Sequence, residues 1–201
     1  MKKFFAICLL LLLFFGFGFK HKSTKLVSAV ISDDEYQLYQ LIMSYRQSKK
    51  LPKIPLSKSL TYVAQVHCKD LVLNKPDQGQ GCNAHSWSDK GRWSACCYTP
   101  DHAKAGCMWD KPRELTNYEG DGFEIAVGSS SDEFKDFVVT PEFALESWKK
   151  SKNHNNVIIN LDVWKEVKWN AIGVGIYKGI ATVWFGKLPD KEGAPERIKK
   201  Q

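Results

Sequence analysis

Two stretches decide how this chain is read: ALESWKKSKNHNNVIIN at 144–160 and AIGVGIYKGIATVWFG at 171–186. In the first, Ala144, Leu145 and Trp148 share one face of an amphipathic helix, and His154 follows in a polar loop. In the second, two apolar runs flank Tyr177-Lys178-Gly179, which is the pattern of a β-hairpin. Along residues 171–177, Ile172, Val174 and Ile176 alternate with Gly173 and Gly175, so one side of that strand has little bulk. Another part of the chain can lie close against it.

Working outward, Thr140-Pro141-Glu142 supplies an N-cap and a first-turn proline for the helix that carries Trp148. Further upstream, Ser32-Asp33-Asp34-Glu35 is a capping-box pattern, and Leu38, Leu41, Ile42 and Tyr45 follow at helical spacing. A second helix starts at Ser57, with Leu60, Val63, Ala64, His67 and Leu71 along one face. His67 on that face reads as a packed core histidine. Residues 79–122 have little apolar periodicity and many turn formers, which predicts a long loop region with one short helix at 112–115. Trp87, Trp93 and Trp109 in this region either pack beneath it or line a groove.

The chain opens with Met1-Lys2-Lys3 and then residues 4–19, which carry no charge. That is the layout of a secretory signal, and residues 1–29 are assigned to a signal peptide and short leader. The run is short for a bilayer span of roughly 20 residues, so membrane contact is expected only if the signal segment stays uncleaved. Five lysines precede residue 30, which leaves 24 basic against 22 acidic residues in the rest of a chain whose formal net charge is +7. Nucleic acid is therefore not an expected partner. Residues 188–201, with Pro189, Gly193 and Pro195 among charges, read as a flexible charged tail.

Beyond Cys8, the cysteines are Cys68, Cys82, Cys96, Cys97 and Cys107. In an exported chain they favour two disulfides and one leftover thiol, stapling the loop-rich stretch. Cys96 and Cys97 are adjacent, so each takes a different partner or one of them is free, while the pairing itself is open. Cysteine zinc-finger spacing, the G-x-S-x-G elbow, H-E-x-x-H and the P-loop are all absent.

These motifs resemble the CAP superfamily, the cysteine-rich secretory, antigen 5 and pathogenesis-related proteins, also called SCP domains, in its bacterial secreted form. There a helix Trp is followed by a Ser, a His and an Asn-Ile-like pair, then an Ile-Gly-Val-Gly strand and a Trp/Phe-Gly strand. The matching residues are Trp148, Ser151, His154, Asn156 and Val157, then Ile172-Gly173-Val174-Gly175 and Trp184-Phe185-Gly186. The family's His-Ser pair after its second helix is similar to His85-Ser86. Its Gly-Glu-Asn-Ile-Ala landmark is met by Gly122-Phe123-Glu124-Ile125-Ala126, where the glutamate position falls to Phe123 without a gap and to Glu124 with a one-residue shift. The family's second glutamate has no match, because Ser151 holds that place.

The resemblance covers about residues 35–187 and implies an α+β fold, a three-layer α/β/α sandwich with a small, mostly antiparallel sheet, over a domain at 32–187. It implies a ligand groove around His85, Ser86, Glu124 and His154, with His85, Glu124 and His154 as ligands for Zn2+ or another divalent cation. Two imidazoles and a carboxylate suit such an ion, and they also suit a metal-free hydrogen-bonded cluster. Two functions follow. One is a non-catalytic, secreted or envelope module, monomeric, that binds a small molecule, lipid or glycan. The other is a metal-dependent, peptidase-like hydrolase with Glu124 as general base.

Overall fold

The computed structural model describes residues 29–198, so the signal segment lies outside the described residues. Its centre is a three-stranded antiparallel sheet of β2 (Gly122–Gly128), β3 (Ala171–Tyr177) and β4 (Ile180–Gly186), in the order β2-β4-β3. The hairpin expected at 171–186 is β3 and β4. The strand β2 was visible in the sequence only as a motif, since Gly-Phe-Glu-Ile-Ala-Val-Gly puts a carboxylate among apolar residues.

Side chains on a strand alternate between faces, and the register sorts them. Ile125, Val183, Val174, Ile172 and Phe185 face a core shared with α1 (Asp33–Ser48) and α5 (Pro141–Lys150). Glu124, Trp184 and Gly173 lie in one row across the other face, which is covered by α2 (Lys58–Asn74). The architecture is thus the expected sandwich of helices on both sides of a small antiparallel sheet.

The helices α1, α2 and α5 begin where their sequence signals say. Ser32 and Glu35 form the reciprocal capping box of α1, Ser57 Oγ accepts from Leu60 N at 2.9 Å, and Thr140 Oγ1 accepts from Phe143 N at 3.2 Å. The bulk-free face of β3 is filled by α2. A Cβ on Gly173 would land on the backbone of Leu60 and Thr61, and one on Gly175 on that of Ala64. The Trp148 side chain is fully buried, and its indole N–H donates to Ala126 O at 3.0 Å, fixing α5 to the edge strand β2.

Three expectations are corrected. Residues 152–158, read as polar loop, form helix α6 (Lys152–Ile158), which buries Asn156, Val157 and Ile158. Its end is held by the buried Arg46 guanidinium, which donates to Ile158 O at 2.5 Å and to Asn160 Oδ1 at 2.7 Å. The stapled region holds two short helices where one was expected, α3 (Ala105–Trp109) and α4 (Lys111–Leu115). Residues 188–198, expected to be flexible, are tied down. Asp190 accepts from Ser59 N at 2.8 Å and from the hydroxyls of Ser57 and Ser59, so it caps the start of α2 from outside the helix. The Tyr118 hydroxyl donates to Leu188 O at 2.7 Å, and β5 (Glu196–Arg197) pairs in parallel with β1 (Val30–Ile31). Within this polar stretch, Asp190 supplies the acceptor that a helix N-terminus with unpaired N–H groups needs.

The disulfides are Cys82–Cys97 and Cys96–Cys107, which leaves Cys68 as a buried thiol. The adjacent cysteines take different partners, and two bridges pin a long loop to itself across the α2 side of the sheet.

Candidate functional site

Glu124 projects from β2 toward α2 and is fully buried at its side chain. Two imidazoles meet it. His67 Nδ1 lies 2.5 Å from Oε1, and His85 Nδ1 lies 2.8 Å from Oε2. On its other side His67 Nε2 lies 2.9 Å from Ser86 O. A carbonyl oxygen only accepts, so Nε2 carries a proton and donates it. Nδ1 then faces a carboxylate oxygen and carries a proton as well, which makes the pair an imidazolium against a carboxylate.

The electrostatics agree. Burial alone would push the His67 imidazolium down, but the Glu124 charge and hydrogen bond, with Ser86 O and Asp70, reverse this and hold its pKa above the ordinary histidine value. Burial alone would push Glu124 up, but His67 and His85 outweigh it and hold it below the ordinary carboxylate value. The His67 ring also stacks on Trp87, with centroids 4.1 Å apart and planes 5° apart, so the charge rests on an aromatic face.

His67 is the core histidine that the helix periodicity suggested, with a partner that periodicity does not reveal. Glu124 is 57 residues away in sequence. Of the two candidates for the glutamate position, Glu124 is the one whose side chain meets the histidines. Phe123, one residue earlier, faces the opposite way and packs against Trp164 and Trp169 with centroids 5.2 and 5.6 Å away.

A groove of about 520 Å³ opens beside this cluster. His85, Glu124 and His154 all line it, so three segments distant in sequence converge as the motif resemblance implied. His154 enters from α6. Burial lowers its pKa, helped by His85 and opposed by Glu124, so at neutral pH it is an uncharged base. Ser86 does not line the groove. It is fully buried, and its hydroxyl accepts from Asn83 N at 3.2 Å and Tyr98 N at 2.9 Å, which shapes the loop that presents His85.

Several of the remaining wall residues carry no signal in the sequence. Tyr98 and His102 come from the stapled loop, joined by a 2.8 Å hydrogen bond between hydroxyl and Nδ1. Met108 and Trp109 come from α3, and Val163 and Trp164 from the 3₁₀ turn Asp162–Trp164. Trp109 alone had been marked as a loop aromatic that could line a groove, and it does.

What the cluster can do follows from how its lone pairs are used. Both Glu124 oxygens already accept from imidazoles, so the carboxylate orients His85 rather than standing free. Among the described residues no group of three or more His, Cys, Asp or Glu side chains is arranged to hold a metal ion. The ring nitrogens not engaged by Glu124, His85 Nε2 and the one donor and one acceptor of neutral His154, are left to a groove ligand.

No family model and no curated protein matches the chain. Among solved structures it is similar to an extracellular protein containing a SCP domain from Bacillus anthracis str. Ames, at 18% identity and a TM-score of 0.49 over 77% of this chain and 40% of that one. It is also similar to an outer surface protein from Borrelia burgdorferi, at 18% identity and a TM-score of 0.49 over 77% and 92% of the two chains. A third is a cysteine-rich secretory protein from Staphylococcus aureus subsp. aureus Mu50, at 14% identity and a TM-score of 0.46 over 77% and 39%. The chain thus spans about two fifths of the first and third of these. At such identities and scores the likeness is one of fold and carries nothing about ligand or reaction. The CAP-like character of the fold rests on this chain's own sandwich and on the convergence of its motif residues in one groove.

Proposed function

We propose that this chain is an exported binding module that holds one amphiphilic small molecule, a lipid or a glycan-bearing lipid, in the groove. The observation that carries this reading is the double engagement of Glu124. With each oxygen accepting from an imidazole, this carboxylate is held below the ordinary carboxylate value and is a weak base, which counts against a general-base role. The groove volume is in the range of small-molecule sites, and its walls suit a ligand with two characters. An apolar body would lie against Trp109, Phe123 and Trp164, with a polar head at His85 Nε2 and His154. Export is supported by the two disulfides and by the basic, then apolar, start of the sequence.

The hydrolase reading would use the same groove, with Zn2+ or another divalent cation on the two imidazoles. Both readings are tested on purified protein by titrating a lysophospholipid and a fatty acid against intrinsic tryptophan fluorescence, with and without Zn2+ or a chelator. Binding is expected in both conditions, and Trp109→Ala with Trp164→Ala is expected to weaken it by about tenfold, the effect of truncating an anchor in a binding patch. Cleavage of a peptide library that stops on chelation would overturn the binding-module reading.

A further inference from the structure

The end of the molecule away from the groove carries an apolar patch. Phe134, Phe137, Val138 and Phe143 are 48%, 36%, 65% and 43% exposed, and the rings of Phe137 and Phe143 meet edge to face at 5.0 Å. Single exposed apolar residues are ordinary, but three phenylalanines and a valine within ten positions, two of them in contact, mark a surface that meets something apolar.

The patch sits at the β3–β4 turn. Val139 N donates to Lys178 O at 3.0 Å, and Phe137 O lies 3.0 Å from where a Cβ on Gly179 would stand. The described chain begins at this same end. Glu35, at the start of α1, accepts from Ile176 N at 3.2 Å near the tip of the hairpin, and Gln37 donates to Glu142 at the start of α5. Val30 and Ile31 directly precede α1. In sequence only residues 20–28 separate Ala29 from the uncharged run at 4–19, and they include Lys20, Lys22 and Lys25.

A chain of nine residues spans at most roughly 30 Å when fully extended. A bilayer that holds residues 4–19 therefore lies within that reach of the end that carries the phenylalanines. The three lysines of the link suit anionic headgroups, whereas Glu133 and Asp136 beside the phenylalanines exclude a mainly electrostatic contact at the patch itself.

We propose that Phe134, Phe137, Val138 and Phe143 dock this end of the domain on the surface of a phospholipid bilayer. Glu124 stands four residues from the tip-side end of β2 at Gly128, about 13 Å along the strand at 3.3 Å per residue. This docking does not depend on what fills the groove.

The test uses the full chain with Cys8→Ser, where Cys68 is buried and the other cysteines are bridged, so that one introduced thiol can be labelled. An environment-sensitive fluorophore is placed at Val138→Cys or, as the far-end control, at Leu188→Cys, which is 45% exposed in the native chain. The protein is mixed with phosphatidylglycerol/phosphatidylethanolamine vesicles with or without spin-labelled lipid. The label at 138 is expected to blue-shift and lose most of its emission to the lipid quencher, while the label at 188 stays unchanged. Adding Phe137→Ser and Phe143→Ser is expected to abolish the quenching at 138, with far-ultraviolet circular dichroism unchanged. Equal behaviour of the two labels would overturn the proposal. Shielding at 138 without vesicles would also overturn it, assigning the patch to another segment of this chain or to a second copy.

Discussion

Replacing Glu124 with glutamine tests the imidazolium–carboxylate pair with little change in shape. The amide oxygen can accept from His85 Nδ1, and the amide N–H can donate to His67 Nδ1, provided His67 gives up its proton there and keeps the one facing Ser86 O. Every hydrogen bond survives, but two charge-assisted bonds become neutral ones. Each exchange loses about 1 kcal/mol, and removal of a buried charge pair returns part of it, so the cost near neutral pH is about 1 kcal/mol.

The sharper signal of Glu124→Gln is in the pH dependence. In the native chain the His67 pKa is raised, so its contribution to stability is fully present below 6.5 and fades as pH rises through the folded value. Glu124 is depressed, so its contribution is present above 4.5 and fades only in stronger acid. In the variant His67 is buried and neutral, with nothing to offset desolvation, and folding disfavours the proton that the unfolded chain takes up below 6.5. His154 also loses the opposing Glu124 charge in the variant, which lowers its folded-state value further and widens the gap in the same direction as pH falls. The stability gap between native and variant is therefore expected to widen on going from pH 7.5 to 5.5, by up to about 1.4 kcal/mol per unit below 6.5. Urea unfolding at several pH values, with disulfides intact, measures it directly. A gap that stays constant across this window would show that His67 is neutral in the folded protein and would refute the ion-pair assignment.

Two further outcomes test other parts of the structure. Asp190→Ala strips the external cap from α2 and leaves the Ser57 and Ser59 hydroxyls short of a partner. It should cost about 2 kcal/mol, read as a lower thermal midpoint of roughly 4–8 °C by calorimetry, although the residue lies in a stretch that looks like a loose tail. Cys82→Ser with Cys97→Ser opens a loop with a sequence separation of 15, worth about 3 kcal/mol, and should weaken groove binding in the fluorescence titration more than it disturbs the helical circular dichroism, because His85 lies inside that loop and Tyr98 borders it.

The sequence was most readable where structure is local. Ser32 with Glu35, Ser57 and Thr140 announced three helix starts, and the alternation at 171–177 announced a strand with an empty face, because caps and periodicity are written within a few residues. It was least readable where a residue's role is set by a distant partner. Asn153, Asn155 and Asn156 are poor helix formers, and α6 exists because Val157 and Ile158 bury and Arg46 holds its end. Glu124 in a strand of apolar residues makes sense only once His67 and His85 are brought to it. The groove followed the same rule. His85, Glu124 and His154 were accessible through motif resemblance, whereas Tyr98, His102 and Trp164 become neighbours only through the disulfides and the 3₁₀ turn.

Gly173 and Gly175 let the α2 backbone settle into the sheet, and this sets the axial position of the helix. Moving α2 by a single turn would displace its side chains by 5.4 Å, about twice the 2.5 Å separation of His67 and Glu124. The paired glycines therefore act as a gauge block for a charge pair that neither of them touches. Anyone transplanting this buried histidine–glutamate pair into another scaffold would have to carry over the seat beneath the helix along with the two ionisable residues.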